Sequence, residues 1–144
     1  MKVKETDVEI INDILINHLD PSDRKSDPPS PMHLKTLLND ERSYLFAATD
    51  DSAVIGYALA YRFPSLYNST HLAYLYDIEV SETHRRKGVG SLLIKKILED
   101  LKSDNVTELW LGTGVDNPEG QGLFSATGAI RSEETFNDYT YYIS

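Results

Sequence analysis

The turn Arg85-Arg86-Lys87-Gly88-Val89-Gly90 combines three consecutive cations with two glycines at the point where an amphipathic helix is expected to begin. An alternating apolar strand and a short polar turn precede it. Free backbone amides at a helix N-terminus bind phosphate groups, and glycine lets a ligand approach the backbone closely. The arrangement is typical of a pyrophosphate site and predicts a nucleotide-type cofactor.

Two carboxylates, Asp77 and Glu79, lie two residues apart in the strand that leads into this turn. On a regular strand they share one face, where they could accept a proton or bind a cationic amine. The alternative is a solvated strand face without a chemical role. A β-bulge, which is common beside active sites, would change which of the two side chains points inward.

Hydrophobic spacing and turn composition indicate the elements that must position these residues. The helix at the N-terminus has a potential cap at Asp7, and a later one has Asn117 as cap and Gly128 as terminator. Helices are expected over 7–19, 32–38, 88–103 and 117–127. Strands are expected over 2–5, 44–49, 53–63, 71–80, 108–112, 130–135 and 139–143, with 108–112 buried and 130–143 forming a closing hairpin.

Hairpins come first in this order, and helices alternate with strands later. The sequence therefore predicts an α/β (α+β) fold, a mixed and mostly antiparallel sheet with about four helices on its faces. Residues 20–31 contain four of the six prolines and are expected to form a loop, because proline interrupts helices and central strands. The length of 144 residues suits a single domain over 1–144.

Composition argues against several classes of function. The chain has no cysteine and its four histidines lack metal-ligand spacing, so we expect no metal and no disulfide framework. The formal charge of −9 argues against nucleic-acid binding and favours cationic partners. We recognise no signal peptide and no membrane-spanning stretch, and expect a cytoplasmic protein that does not bind membranes.

The turn from Arg85 to Gly90, which we call the cofactor turn, fits neither of two common phosphate-binding patterns. A dinucleotide site would need Gly-x-Gly-x-x-Gly in an early parallel unit, and a P-loop would end in Gly-Lys-Ser/Thr. Arg85-x-x-Gly88-x-Gly90, between a strand and a helix, instead resembles the cofactor motif of the GNAT superfamily of N-acetyltransferases. A second superfamily signature, Asn-x-x-Ala-x-x-Leu-Tyr with a Gly-Phe ending, is matched at Asn117, Leu123 and Gly128 and departs at Gly120, Phe124 and Ala129.

The resemblance implies acetyl-coenzyme A as cosubstrate, a sheet that splays between its fourth and fifth strands, and often a homodimer. In the superfamily, amides of the turn wrap the pyrophosphate and the pantetheine arm lies in the splay. The implied pyrophosphate contacts are Arg85, Arg86, Lys87, Gly88, Val89, Gly90 and Ser91, although one or two of the basic side chains could equally be solvated surface charges. The implied contacts of the arm are the backbones of Ile78 and Val80, together with Asn117 and, by packing, Phe124.

The stretch from Tyr74 to Gly88 is also similar to the aminoglycoside 3-N-acetyltransferase I group, which has Tyr-Asp at the position of Tyr76 and Asp77. The implied function is acetyl transfer to a primary amine of a small cationic molecule, such as an aminoglycoside or a polyamine. Peptide or protein N-acetylation is an alternative. A catalytically weak module that binds acyl-coenzyme A is another.

Acetyl transfer requires removal of an ammonium proton, which Asp77 or Glu79 could accept, and the similarity favours Asp77 as the substrate contact. Many superfamily members protonate the departing thiolate with a tyrosine where this chain has Phe124, which carries no hydroxyl. A thiol pKa near 8.5 makes departure without a dedicated acid feasible. Otherwise the proton would come from water or from another tyrosine, with candidates at Tyr74, Tyr76 and within 139–142.

Overall fold

The computed structural model describes residues 1–19 and 28–143, so most of the loop expected over 20–31 lies outside the described residues. The chain divides into two compact units, Met1–Gly112 and Thr113–Ser144. The helices of the first unit are α1 (Val8–Asp13), which continues as a π-helical turn (Ile14–His18), α2 (Pro31–Asn39), a short 3₁₀ turn (Glu82–His84) and α3 (Val89–Ser103). Its strands are β1 (Ser43–Asp50), β2 (Ala53–Pro64), β3 (His71–Val80) and β4 (Val106–Trp110).

The four strands form one sheet in the order β1-β2-β3-β4, antiparallel except for the parallel pair β3 and β4. Asp51 and Ser52 connect β1 to β2 and both have positive φ, 48° and 68°, as a two-residue type I′ turn requires. The pairing of β3 with β4 ends at Tyr74 and Trp110, while β3 continues to Val80. β3 and β4 correspond to the fourth and fifth predicted strands, 71–80 and 108–112. The pairing is therefore lost where the family resemblance implies a splay.

The strand register assigns side chains to two faces of the sheet, and each face is covered by helices. On one face Tyr44 and Ala58 are buried, and the Tyr44 hydroxyl donates to Asp104, just after α3, at 2.6 Å. On the opposite face α1 and the π turn pack Ile11 and Ile14 against the sheet. The α3 face is lined by Tyr44, Phe46, Ala58, Ala60, Ala73 and Leu75, and the α1 face by Ala47, Val54 and Tyr57.

Gly56 in β2 lies where β3 and the first turn of α3 come together. A Cβ atom at this position would lie 2.9 Å from the backbone carbonyl oxygen of Glu79 and 3.3 Å from Cγ1 of Val89. The first distance is shorter than real Cβ contacts, so only glycine lets the strand and the helix approach this closely.

Two expectations for the N-terminal segment are wrong. The strand over 2–5 is reduced to a single bridge between Lys2 and Phe46. Asp7 precedes α1 but makes no capping hydrogen bond. Its Oδ2 instead accepts a hydrogen bond from the Lys4 amide at 2.8 Å, so this carboxylate closes a turn that ends the extended segment early.

The expectations for the last strands also need correction. β4 begins and ends two residues before the predicted strand, and it is partly exposed rather than buried because it is the edge strand of the sheet. The closing hairpin over 130–143 is absent, since residues 129–143 form neither helix nor strand. Their large apolar side chains are 75% to 96% exposed, and a hairpin without a buried face is not stable.

The second unit contains α4 (Pro118–Ala126), which has the predicted cap and terminator. The Asn117 side chain accepts a hydrogen bond from the Gly120 amide at 3.1 Å, and Gly128 has a φ of 97°. Within residues 1–19 and 28–143, every helix is too short or too polar to cross a membrane.

Candidate active site

Asp77 and Glu79 lie on the face of the sheet that α1 covers, as the sequence predicts for a regular strand. The antiparallel register pairs Asp77 with Leu59 and Glu79 with Tyr57. A β-bulge interrupts the register between Leu59 and Ala60 and leaves Tyr76 without a partner in β2. Because the bulge precedes both carboxylates, it does not separate them onto opposite faces.

Asp77 is held by a buried tyrosine. The hydroxyl of Tyr57, a residue only 4% exposed, donates a hydrogen bond to Oδ2 of Asp77. This hydrogen bond fixes the direction of the carboxylate. Asp77 is therefore suited to act as a fixed negative charge on this face.

Glu79 faces His18, the last residue of the π turn, whose side chain is 3% exposed. The Nδ1 atom of His18 lies 3.4 Å from Oε1 and 3.3 Å from Oε2 of Glu79. Although Oε2 lies 3.3 Å from Nδ1, it is buried and forms no hydrogen bond with any described residue. One oxygen of Glu79 is thus buried beside His18 without a hydrogen bond from the described residues.

The contact made by the second ring nitrogen of His18, Nε2, shows which ring nitrogen carries a hydrogen. Nε2 is 2.7 Å from the carbonyl oxygen of Val54, which can only accept, so Nε2 carries a hydrogen and donates it. A neutral His18 then presents the lone pair of Nδ1 to Glu79. The contact between these two groups is a hydrogen bond only when one proton lies between them.

The π turn holds His18 in this position because the side chains at its two ends, Asp13 just before it and His18 as its last residue, both bind the backbone of Val54 in β2. The Val54 amide donates to Oδ2 of Asp13 at 2.8 Å, and its carbonyl accepts from His18. The side chain of Asn17 and then the amide of Val54 lower the pKa of Asp13 by donating hydrogen bonds to it. π-Helical turns occur frequently at functional sites.

Sequence reasoning missed both His18 and Tyr57. His18 follows Ile11 and Ile14 at helical spacing, so a signal was present as a histidine on the apolar face of the first helix. Its ring lies edge-on to that of Tyr57, with centroids 6.2 Å apart and an interplanar angle of 84°. The two residues that orient the carboxylates are therefore packed against each other.

The cofactor turn leaves the N-terminus of α3 without a side-chain cap. The first intrahelical bond runs from the Leu92 amide to the Gly88 carbonyl at 3.0 Å, so the amides of Val89, Gly90 and Ser91 have no partner within the helix. Gly88 adopts a φ of 83°, which favours glycine. This helix end is equipped to bind an anion.

The three basic residues of the turn have different surroundings. Nε of Arg85 donates to the Val80 carbonyl at 3.0 Å, so this guanidinium is directed back to the end of β3. Arg86 has a φ of 62°, a left-handed conformation that non-glycine residues adopt at a cost of about 1 kcal/mol. Neither Arg86 nor Lys87 forms an ion pair or a hydrogen bond with another residue in the described ranges.

Ile78 and Val80 present their backbone groups to the side of β3 that faces away from β2. The Ser81 amide donates to Ile55 in β2, and alternate residues of a strand direct their backbone groups to opposite sides. Beyond Tyr74 this outer side has no pairing with β4. Arg85 already occupies the Val80 carbonyl, which leaves the backbone of Ile78 and the Val80 amide at the opening.

Five aromatic side chains follow one another on the sheet beside Asp77, and we call them the aromatic row. Successive ring centroids lie 5.3 to 6.5 Å apart. Burial and then the neighbouring Tyr76 raise the pKa of Tyr61, so its hydroxyl stays protonated at neutral pH. The row consists, in order, of Phe63, Trp110, Tyr74, Tyr76 and Tyr61.

Asn117 and Phe124 belong to the second unit. The side chain of Asn117 is engaged at both ends, accepting from Gly120 and donating to Oγ1 of Thr113 at 3.0 Å. Phe124 is half-buried on α4, and its carbonyl accepts from the Ala129 amide at 2.9 Å, which closes the helix. Within their own unit both residues have roles in the end structure of α4.

A mixed sheet with an interrupted strand pair, and a basic turn at the start of an uncapped helix, define an acetyltransferase of GNAT type. The sequence model of the acetyltransferase (GNAT) family matches residues 12–129. The chain belongs to this family, whose members use acetyl-coenzyme A as cosubstrate.

One curated relative is the L-2,4-diaminobutyric acid acetyltransferase of Nocardia farcinica (strain IFM 10152), 29% identical over 84 residues. These residues make up 58% of this chain and 42% of that protein, so the match spans less than half of the relative.

Two solved structures show the same fold. An aminoglycoside acetyltransferase, meta-AAC0020, from an uncultured soil metagenomic sample in complex with sisomicin, has a TM-score of 0.83 at 20% identity and covers 99% of this chain and 95% of its own. The ribosomal-protein-alanine N-acetyltransferase of Brucella melitensis biovar Abortus 2308 has a TM-score of 0.74 at 16% identity, with 98% of each chain covered.

Proposed function

We propose that residues 1–144 form an acetyl-coenzyme A-dependent N-acetyltransferase that acts on a primary amine of a small cationic molecule, similar to an aminoglycoside or a polyamine. The observation that carries the proposal is the pair Asp77 and Glu79 on one sheet face, each with a buried side chain that orients it. The formal charge of −9 supports a cationic acceptor.

The donor side of the proposed reaction lies at the turn and at the opening of the sheet. Acetyl-coenzyme A supplies the acetyl group as a thioester. The uncapped amides at the start of α3 would hold its pyrophosphate, with Arg86 and Lys87 as cations that have no other partner among the described residues. The backbones of Ile78 and Val80 would hydrogen-bond the pantetheine arm.

On the acceptor side, we assign different roles to the two carboxylates. Asp77, which accepts the Tyr57 hydroxyl, binds the substrate ammonium as a fixed counter-charge. Glu79 accepts the proton that the ammonium must lose, because its side chain is partly exposed on the same face as Asp77 and is oriented by Nδ1 of His18. His18 is then a positioning residue that keeps this carboxylate in place.

The neutral amine forms the new carbon–nitrogen bond as the carbon–sulfur bond breaks and its electron pair leaves with sulfur. The nitrogen then loses its second proton to solvent, which balances the proton that sulfur takes up. Phe124 has no hydroxyl to protonate that sulfur, so the proton comes from water or from a tyrosine of the aromatic row near Asp77. Tyr76 is the most exposed of these, at 67%. The low pKa of a thiol makes this step undemanding.

The test is release of free thiol from acetyl-coenzyme A during incubation with aminoglycosides, polyamines, diaminobutyrate and short peptides. We expect release with at least one small amine and its loss in Glu79→Gln. The exposed Glu9→Gln on α1 is the matched control and should keep full activity. A rate equal to the enzyme-free background with every amine and peptide would overturn the proposal.

The same assay separates two alternatives. Transfer to peptides without transfer to small amines would identify a peptide or protein N-acetyltransferase, a role for which the fold of the ribosomal-protein-alanine N-acetyltransferase provides a precedent. Calorimetric binding of acetyl-coenzyme A without any turnover would identify a binding module, as the absence of a tyrosine at Phe124 allows.

A further inference from the structure

We propose that the aromatic row and Asp77 together form the acceptor subsite and that it takes an amine built on saturated, hydroxylated rings, as in an amino sugar, in preference to a linear polyamine. The inference rests on the proposed function and names the substrate class of that same site.

The aromatic row lies on the same sheet face as the carboxylates. Tyr61 pairs with Tyr74 in the register, and Leu59, two residues earlier in β2, pairs with Asp77. Trp110 pairs with Tyr74 across β4, at the last position before the two strands lose their pairing. A ligand bound along the row would therefore have one end at Asp77 and at the opening of the sheet.

The rings are accessible although they are large. Tyr76 is 67% exposed, Trp110 45% and Phe63 37%. Tyr74 and Trp110 lie 5.3 Å apart with an interplanar angle of 54°, while the other neighbours in the row are close to perpendicular. The row thus offers alternating faces and edges of rings rather than a closed apolar core.

The chemistry of this surface matches a ring-based cation better than a flexible one. The face of an aromatic ring attracts an ammonium group and packs against the flat C–H face of a saturated ring. A linear polyamine can use the carboxylates but has no ring face to lay against the aromatic row. On this face Asp77 and Glu79 lie at one end of the row and Glu108, two residues before Trp110 in β4, lies at the other. The stretch between them is lined by the rings together with Leu59 and Leu72, so a ligand that spans it gains most from ring faces of its own.

The single tryptophan of the chain is Trp110, so its fluorescence reports binding at the aromatic row directly. The experiment titrates the 144-residue chain with sisomicin, as a ring-based amine, and with spermidine, as a linear one. The variants are Tyr76→Ala, Tyr76→Phe and Tyr67→Ala, the last being a control at a tyrosine that is 90% exposed and outside the row. Melting curves confirm that each variant is folded.

We expect sisomicin to change the Trp110 emission and to bind at least about tenfold more tightly than spermidine. Tyr76→Ala should weaken sisomicin binding about fivefold, the effect of one cation–π or stacking contact, whereas Tyr76→Phe and Tyr67→Ala should bind normally. Equal affinity for both amines, or normal binding by Tyr76→Ala, would overturn the inference. So would an emission that changes with protein concentration alone, because a second copy would then cover the row.

Failure of the inference and failure of the proposed function give different results. Thiol release with spermidine, and none with ring-based amines, would leave the acetyltransferase proposal intact and remove the ring preference. Tight sisomicin binding at the aromatic row without thiol release would retain the subsite and overturn the proposed reaction.

Discussion

The sheet face that carries Asp77 and Glu79, which we call the carboxylate face, and the cofactor turn are organised for ligands in opposite ways. Asp77 and Glu79 each contact a buried side chain, Tyr57 or His18, that fixes the carboxylate before any ligand arrives. In the cofactor turn, the side chains of Arg86 and Lys87 contact no described residue through hydrogen bonds or ion pairs. A group that moves a proton needs a fixed position, whereas a group that binds a polyphosphate benefits from charge that is not already neutralised.

The backbone conformations of the two regions differ in the opposite sense, with the turn being the more constrained of the two. The carboxylates lie on a regular part of β3 beyond its bulge, while the turn contains left-handed conformations at Arg86 and Gly88. Strained backbone is retained where it directs amides toward a ligand. The carboxylate face is therefore organised through side chains, and the turn is organised through its main chain.

The strongest test of the contrast is removal of the proposed base. We expect Glu79→Gln to lower kcat by about 10²- to 10³-fold, because a positioned base contributes that much to proton transfer, and to leave the KM for acetyl-coenzyme A unchanged. Steady-state thiol release measures both constants. Asp77→Asn should instead raise the KM for the amine, and identical profiles in the two variants would contradict the separate roles.

Removal of His18 tests whether the carboxylate face depends on its buried partner. We expect His18→Ala to lower kcat about tenfold or more and to destabilise the protein by about 1–3 kcal/mol, since the Val54 carbonyl loses its donor. His18→Gln can still donate to Val54 and should recover most of the stability but not the pH–rate profile. A loss of stability without a change in kcat would show that His18 is only structural.

The converse test neutralises one free cation of the turn. Arg86→Asn removes the charge while retaining a residue that tolerates a positive φ, so the fold should not change. We expect the KM for acetyl-coenzyme A to rise about fivefold and its dependence on salt to weaken, with kcat almost constant. An unchanged KM at low salt would mean that Arg86 is a solvated surface charge.

The smallest expected effect concerns Asp13, which fastens the π turn to β2. Because its pKa is lowered in the folded state, the unfolded chain binds more protons as the pH falls toward the ordinary value of 3.8. The stability from this carboxylate is complete above that value and is lost below it. Asp13→Asn should cost about 1 kcal/mol at pH 7, and the difference should shrink as the pH falls below 3.8 in denaturant titrations; a pH-independent difference would contradict the linkage.

Patterns that depend on neighbours in the chain allowed accurate prediction. The hairpin of β1 and β2, the bounds of β3 and the cap and terminator of α4 follow from local composition and spacing. The face shared by Asp77 and Glu79 follows from the two-residue period of a strand. Family membership followed from the motif at Arg85 to Gly90.

Contacts between distant residues could not be predicted in the same way. His18 and Glu79 are 61 residues apart, and their meeting depends on a π turn that no simple periodicity signals. The aromatic row assembles from three strands, one of them β4, whose position in the sheet requires knowledge of its parallel pairing. The strands expected over 2–5, 130–135 and 139–143 do not form for the same reason. Alternation of apolar residues in the sequence does not guarantee a neighbouring strand with which to pair.

Gly56 limits how the enzyme can change under selection. The carbonyl that a side chain at this position would strike belongs to Glu79, and the methyl group beside it belongs to Val89, next to the cofactor turn. Any larger residue would have to displace the strand that carries Glu79, the helix that begins at the turn, or both. Variants with new amine preferences are thus expected to arise in the aromatic row, where exposed rings can be exchanged one at a time, while a substitution of Gly56 is expected to disturb the carboxylates and the turn together.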